Sequence, residues 1–245
     1  MPRYKITIEY DGTNYAGWQR QNDEPSIQEE IEKAVFGFCG EKTTVTGAGR
    51  TDAGVHALAM TAHFDCSKTL DDFHMCQALN AYLRPRPISV LSAQIAADDF
   101  HARFDAKARS YVYKILNRRS RPALEDGRVW WVAPELDVDK MRDAASVFLG
   151  KHDFTTFRAT HCQAKSPVKT LDVLEIEKIQ DVILLHFKAQ SFLHHQVRNL
   201  TGTLKLVGEG LWDKQRVIDA MEAKDRKFGG PTAVAAGLYF ERAYY

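Results

Sequence analysis

Strand, helix and strand-pair signals follow one another twice along this 245-residue chain, and that doubled order restricts the fold more than any single motif. In the first half, Tyr4, Ile6, Ile8 and Tyr10 alternate with Lys5, Thr7 and Glu9, the period-two pattern of a strand with one wet face. Asp11-Gly12-Thr13-Asn14 closes it as a turn. Ser26-Ile27-Gln28-Glu29 has capping-box spacing. Ile31, Ala34, Val35 and Phe38 follow at helical intervals, and Gly40 stops the helix. β-like runs at 43–46 and 58–64 flank a glycine-rich stretch. Asp71 or Asp72 caps a helix through Phe73, Cys76, Leu79 and Leu83, halted by Pro85 and Pro87, and 88–97 reads as a strand.

The second half repeats the order. A strand is predicted at 108–116, then a helix capped by Asp137 through Met141, Ala145 and Phe148, ended by Gly150. Val168–Ile179 and Val182–Ala189 form a hairpin turning at Gln180-Asp181. Leu193, Val197, Leu200, Leu204 and Val207 mark the apolar stripe of a helix that begins at Phe192. Asp213 opens a shorter helix, Gly229-Gly230-Pro231 is a loop, and 236–240 is a last strand. Neither half has the β-α-β-α regularity of a parallel sheet. The prediction is α+β: two similar halves with antiparallel sheets and helices on one face, residues 1–106 and 107–245, with the seam near 104–107.

Charge and cysteine usage exclude several classes. A net charge of +1 gives no strong global field, so any nucleic-acid surface is a local patch. Cys39, Cys66, Cys76 and Cys162 show neither C-x-x-C pairing nor zinc-finger spacing, which reads as idle or buried thiols in a reducing cytosol. No secretory core precedes the first strand and no apolar run approaches ~18 residues, so a soluble, cytoplasmic protein is expected.

The glycine-rich stretch is Gly47-Ala48-Gly49-Arg50-Thr51-Asp52-Ala53-Gly54-Val55-His56-Ala57. Its glycines allow tight turning, φ > 0 and close approach of a ligand. Two readings stand side by side. Arg50 and Asp52 form a surface ion pair worth ~0–1 kcal/mol, or the loop is a site whose reactive atom belongs to Asp52. A phosphate cradle is excluded, because Asp52 sits where a third glycine is required and a carboxylate repels phosphate.

Four other places carry candidate residues. Trp18-Gln19-Arg20-Gln21 offers a stacking ring and a phosphate-binding cation, or a loop that packs Trp18 in the core. Phe100-His101-Ala102-Arg103-Phe104 interleaves aromatics with cationic donors, a composition suited to single-stranded RNA and also common where an amphipathic turn packs. Tyr111 and Tyr113 share a strand face, as core pairs do. In Phe192-Leu193-His194-His195-Gln196-Val197-Arg198-Asn199 the paired histidines suggest a metal pair, but adjacent helix residues do not face each other and no third ligand is in view, which favours structural histidines. Arg198 lies on a helix patterned for burial, and a buried Arg needs an anion.

Taken together, these residues resemble one family. The Gly49–Ala57 segment is similar to the signature loop of the TruA-type tRNA pseudouridine synthases. The likeness extends through Tyr10-Asp11-Gly12-Thr13, Gly17-Trp18-Gln19, Leu79-Asn80-Ala81, the 100–106 segment, Tyr111-Val112-Tyr113, Ser166-Pro167-Val168, the 192–199 segment and Gly237-Leu238-Tyr239. Arg84-Pro85-Arg86-Pro87, Gln196 and Val234-Ala235 depart from the family's usual pattern and touch no expected catalytic group.

The resemblance implies the pseudouridine synthase fold, two halves joined across a central RNA-binding cleft with helices on the outer faces. It implies isomerisation of uridine to pseudouridine at positions 38, 39 and 40 of the tRNA anticodon stem-loop, with no cofactor and no metal, by a homodimer. Asp52 is then the catalytic carboxylate beside C1′, either attacking it or working through a glycal, with logic akin to that of glycosidases. Arg198 pairs with Asp52, Tyr111 stacks on the loosened uracil, and Arg50 with Thr51 belongs to the substrate-binding loop, Arg50 helping to flip the nucleotide. Arg20, Phe100, His101, Arg103, Gln163 and Lys165 are the expected RNA contacts. Two rivals remain open from sequence: a silent RNA-binding protein on the same fold, and a nucleoside hydrolase that uses Asp52 to release uracil.

Overall fold

The alternation in Arg3–Tyr10 (β1) is realised in full: Tyr4, Ile6 and Ile8 are buried completely, while Lys5, Thr7 and Glu9 are not. Ser26 caps Ile27–Cys39 (α1) by accepting the Glu29 N–H at 3.3 Å, and Gly40 ends it in the left-handed region at φ 78°. Of the run 43–46 only Thr46 enters a strand, the two-residue Thr46–Gly47 (β2). His56–Asp65 (β3) follows the glycine-rich loop. Asp71, not Asp72, caps Asp72–Leu83 (α2), accepting the His74 N–H at 2.9 Å, and Ile88–Ala96 (β4) completes this group. The computed structural model describes residues 1–21, 24–160 and 162–245.

By contact the chain forms two compact units, Met1–Lys107 with Tyr239–Tyr245, and Ala108–Leu238. In the first, β1 lies between β3 and β4, antiparallel to both, with Tyr4 opposite Phe64 and Ile6 opposite Ala62 and Ala93. α1 packs on α2 and α2 on β4, which covers the sheet with its helices.

In the second unit, Ala108–Asn117 (β5) carries on one edge the three-residue strand Trp130–Val132 (β6), which runs parallel to it. Asp137 caps Val138–Ala145 (α3) through the Lys140 N–H at 3.0 Å; a 3-10 turn continues it before Gly150–Asp153 (β7). Val168–Ile179 (β8) and Val182–Ala189 (β9) are the predicted hairpin, with Gln180 at φ 54° in the turn. The order β7-β8-β9-β5 is antiparallel throughout. Gln196–Gly208 (α4) and Lys214–Ala223 (α5) pack with α3, which in turn lies on β8.

Leu238–Tyr244 (β10) then places Tyr239 and Phe240 parallel to His56 and Ala57 of β3, so the last seven residues pack with the first unit although they follow the second in sequence. The fold is α+β with sheets dominated by antiparallel pairing.

Candidate active site

In the first unit, the glycine-rich loop is pinned from three directions. The Ala48 N–H bonds the Thr61 carbonyl of β3 at 2.8 Å. The Val55 N–H closes a turn onto the Asp52 carbonyl at 3.1 Å, with Gly54 at φ 76°. From the segment after β1, the Trp18 N–H reaches the Thr51 carbonyl at 3.0 Å and the Tyr15 carbonyl accepts the Gly54 N–H at 3.3 Å. The Tyr10 hydroxyl and Thr51 Oγ1 are 2.8 Å apart, both buried.

Glycines allow this proximity. A Cβ on Gly12 would fall 2.0 Å from the Val55 carbonyl oxygen, and one on Gly17, already at φ 104°, would fall 2.3 Å from that of Thr51. Trp18 is 3% exposed and fills the space over Gly47, where a Cβ would meet the indole at 2.6 Å; its ring belongs to the core. The result is a backbone fixed on both sides of Asp52. Its carboxylate is half-buried, Thr51 is buried, and Arg50 is exposed. Such a carboxylate is suited to act at one place as a nucleophile or as a counter-charge to a developing cation.

The sequence assigns no role to His56, at the loop's end. Its ring is buried, stacks on Tyr239 at 4.7 Å, and its Nδ1 accepts the Gly12 N–H at 3.1 Å. It braces the Gly12 turn against the loop. The signal for it lay in the motif containing His56, but its partners lie far away in the chain.

The 100–105 segment is a built turn. His101 Nδ1 accepts the Arg103 and Phe104 N–H groups, each at 3.2 Å, and Asp105 accepts the His101 N–H at 2.7 Å. Buried His63 of β3 accepts the Ala102 N–H at 3.1 Å, and burial, then the nearby Arg3 and His101, hold its pKa below the usual imidazole value. The Phe104 ring, 76% exposed, stacks on His101 at 4.3 Å with the Arg103 guanidinium 5.9 Å from its centroid. Phe100 instead packs on Tyr245 and is half-buried. Arg20 is exposed at the surface, 3.5 Å from Glu32.

In the second unit, the two tyrosines of β5 differ. Tyr113 is buried, donates to the Val234 carbonyl at 2.7 Å, and burial raises its pKa; it is the core member. Tyr111 is half-buried and meets Phe192 edge-on at 5.0 Å.

The helix expected from Phe192 begins only at Gln196. His195 stands before it as the cap residue in the left-handed region at φ 62°, and the Gln196 Oε1 turns back to accept the Leu193 N–H at 2.9 Å. The histidines therefore are not adjacent helix residues: the rings of His194 and His195 are 4.0 Å apart, tilted 46°. A left-handed histidine leaves no periodic trace in sequence.

Arg198 donates from Nε to the Ala233 carbonyl at 2.8 Å, and Ala233 returns its N–H to the Arg198 carbonyl at 3.1 Å. The buried Asn199 beside it donates to the Phe157 carbonyl at 2.9 Å. It accepts from Thr232 at 2.7 Å and from Arg226 at 3.2 Å. The 229–233 loop presses on α4 so closely that a Cβ on Gly202 would lie 1.8 Å from the Pro231 carbonyl oxygen. Gln163 and Lys165 are exposed on the segment leading to β8. Asp52, Arg50, Thr51, Arg20, Phe100, His101 and Arg103 thus belong to one unit, and Tyr111, Arg198, Gln163 and Lys165 to the other.

A family model described as tRNA pseudouridine synthase matches residues 6–105 and 144–245. Proteins named tRNA pseudouridine synthase A are similar over the whole chain. The one from Rhodospirillum rubrum is 53% identical, covering 100% of this chain and 88% of its own. The one from Rhodospirillum centenum is 52% identical, covering 100% of both. The one from Paramagnetospirillum magneticum is 50% identical, covering 100% of this chain and 96% of its own. A solved structure titled as a Cbf5-Nop10-Gar1 complex aligns with TM-score 0.37 and 10% identity over 96% of this chain and 57% of that one, a likeness too low to bear on the fold.

Proposed function

Because this chain belongs to the tRNA pseudouridine synthase family, an isomerase family, we propose that it converts uridine to pseudouridine at positions 38, 39 and 40 of the tRNA anticodon stem-loop, with Asp52 as nucleophile. The observation that carries this reading is the fixation of Asp52. Both the carbonyl and the hydroxyl of the preceding Thr51 are engaged, by Trp18 and Tyr10, so the carboxylate is offered from a backbone that does not have to reorganise.

In the reaction, the Asp52 carboxylate bonds to C1′ as the N1–C1′ bond breaks and its electron pair leaves with the uracil. The base turns while held. Its C5 then bonds to C1′ and displaces the carboxylate; C5 gives up its proton and N1 gains one, so atoms and charge balance without any imported group. Flipping the nucleotide out costs a few kcal/mol, less in a loop or at a stem end than within a helix. Exposed Arg50 assists there. Tyr111, whose ring is propped edge-on by Phe192, stacks on the loosened base. Arg198, oriented through Nε by the Ala233 carbonyl, serves as the cation that keeps Asp52 ionised and aimed.

RNA is held by local clusters, as a net charge of +1 demands: Arg20, the exposed Arg103–Phe104 corner over His101, and Gln163 with Lys165. In this reading the protein works as a homodimer and acts in the cytoplasm. Among the described residues no helix is long and apolar enough to cross a membrane. The test is incubation of the protein with unmodified tRNA transcripts, followed by mapping of pseudouridine. The expected result is modification at 38–40, no free uracil and no turnover of small nucleosides. Unmodified tRNA, or released uracil, contradicts it.

A further inference from the structure

A second cluster of reactive side chains lies at the other end of β3 from the Asp52 loop. Cys39 is the last residue of α1, Glu41 follows the left-handed Gly40, and Cys66 comes directly after β3. The two sulfurs and one Glu41 carboxylate oxygen all lie within 4.8 Å of one another, with Cys66 buried and the other two half-buried. A tetrahedral ion with Zn–S bonds of about 2.3 Å holds its ligand atoms roughly 3.8 Å apart. Small side-chain movements therefore suffice to close the set.

The backbone is shaped for a thiolate as well. With Gly40 at φ 78°, the Glu41 N–H returns to the Cys39 Sγ at 3.4 Å. This is the kind of outer hydrogen bond that orients and stabilises a sulfur ligand. The Glu41 carboxylate is itself oriented by the Ser67 N–H at 3.1 Å and by the Ser67 hydroxyl.

We infer that Cys39, Glu41 and Cys66 form a binding site for one thiophilic divalent ion, Zn²⁺ by the chemistry of two thiolates and a carboxylate, with water as fourth ligand. Binding forms two Zn–S bonds and one Zn–O bond, and the two thiol protons pass to solvent. The ion joins the end of α1 to the end of β3. Because β3 is ten residues long, the site is about 30 Å along the strand from the catalytic loop. Its role is therefore to fasten the first unit and not to take part in the isomerisation.

The test uses the reduced, chelator-treated full chain titrated with Zn²⁺ alone, then with Cd²⁺ and Co²⁺ as spectroscopic probes. The inference predicts one ion per chain, sulfur-to-metal charge-transfer bands, and a melting temperature that climbs with free Zn²⁺. Cys39→Ser, at a half-buried position, abolishes the bands, and Glu41→Gln weakens binding while keeping them. Cys76→Ser changes neither. Absence of binding overturns the inference, as does unchanged binding in Cys39→Ser. So does a mass two hydrogens lighter in the untreated protein that maps to a Cys39–Cys66 bond, which would assign the pair to redox chemistry.

Discussion

The two units weight backbone and side-chain contacts differently in fixing their key side chains. In the first, Asp52 is placed by main chain against main chain: carbonyls of Thr51 and Val55 lie where only glycine fits, at Gly17 and Gly12. In the second, a side-chain network joins the close approach of Pro231 to Gly202 in placing Arg198. Buried Asn199 ties Phe157, Thr232 and Arg226 together and so holds the 229–233 loop whose Ala233 carbonyl takes Arg198 Nε. Backbone placement is intolerant of any added atom; side-chain placement is intolerant of any lost hydrogen bond. In the proposed reaction the first unit supplies a nucleophile that must not drift, the second a cation that has only to point.

The largest effect is expected at Gly17. Gly17→Ala forces a Cβ to within 2.3 Å of the Thr51 carbonyl at φ 104°, so the Asp52 loop must shift. Restoring ordinary contact takes a shift of about 1 Å, which costs about a hundredfold in turnover, beside about 1–2 kcal/mol from the left-handed conformation. Turnover at saturating tRNA and the unfolding midpoint, measured together, check this. Wild-type turnover would break the contrast between the units.

Asn199→Ala is next. It strands a buried carbonyl and two donors, and urea unfolding should show a loss of roughly 1–3 kcal/mol for the groups left unpaired. Arg198→Lys sharpens the same point: it retains charge but loses the planar fork, so activity should fall much further than stability. If Asn199→Ala is as stable as wild type, the network is not what holds the second unit's site.

At Tyr111 the expectation is smaller and separable. Tyr111→Ala loses a stack worth ~1–3 kcal/mol, while Tyr111→Phe keeps it. Turnover of the Phe variant near wild type, with the Ala variant about tenfold to a hundredfold lower, fits the stacking role. A Phe variant as inactive as Ala would give the hydroxyl a direct part in the chemistry.

The smallest effect concerns pH. His63 is buried, and its folded pKa lies below its ordinary value of about 6.5. As pH falls below about 6.5 the unfolded chain takes the proton before the folded one, so stability is greatest above that value and declines on acidification. Urea unfolding at about pH 7.5 and about pH 5.5 should show this decline, and His63→Gln, which keeps an acceptor for the Ala102 N–H, should reduce it. An equal decline in the variant would assign the pH dependence to other groups.

Local structure was largely legible in the sequence. The alternation at Tyr4, Ile6, Ile8 and Tyr10, the caps at Ser26 and Asp137, and the 168–189 hairpin follow from neighbours within a few residues, and the structure reproduces them. What escaped was whatever distant chain decides. The parallel seating of Tyr239 on His56 joins residues far apart in sequence, and β6 is too short to carry a period. The late start of α4 depends on a left-handed His195 that propensity does not foretell. At the site, the glycines announce a tight loop, but the atoms they make room for belong to segments about thirty to forty residues away, which no spacing rule reveals.

The central claim is that the Asp52 carboxylate does the chemistry, and Asp52→Asn tests it most directly. Asparagine preserves the shape of the side chain and leaves the Thr51 and Val55 bonds of the loop in place. With tRNA saturating, pseudouridine formation should vanish while tRNA affinity and the unfolding midpoint remain within a few-fold and a few degrees of wild type. Turnover retained in Asp52→Asn would contradict the account.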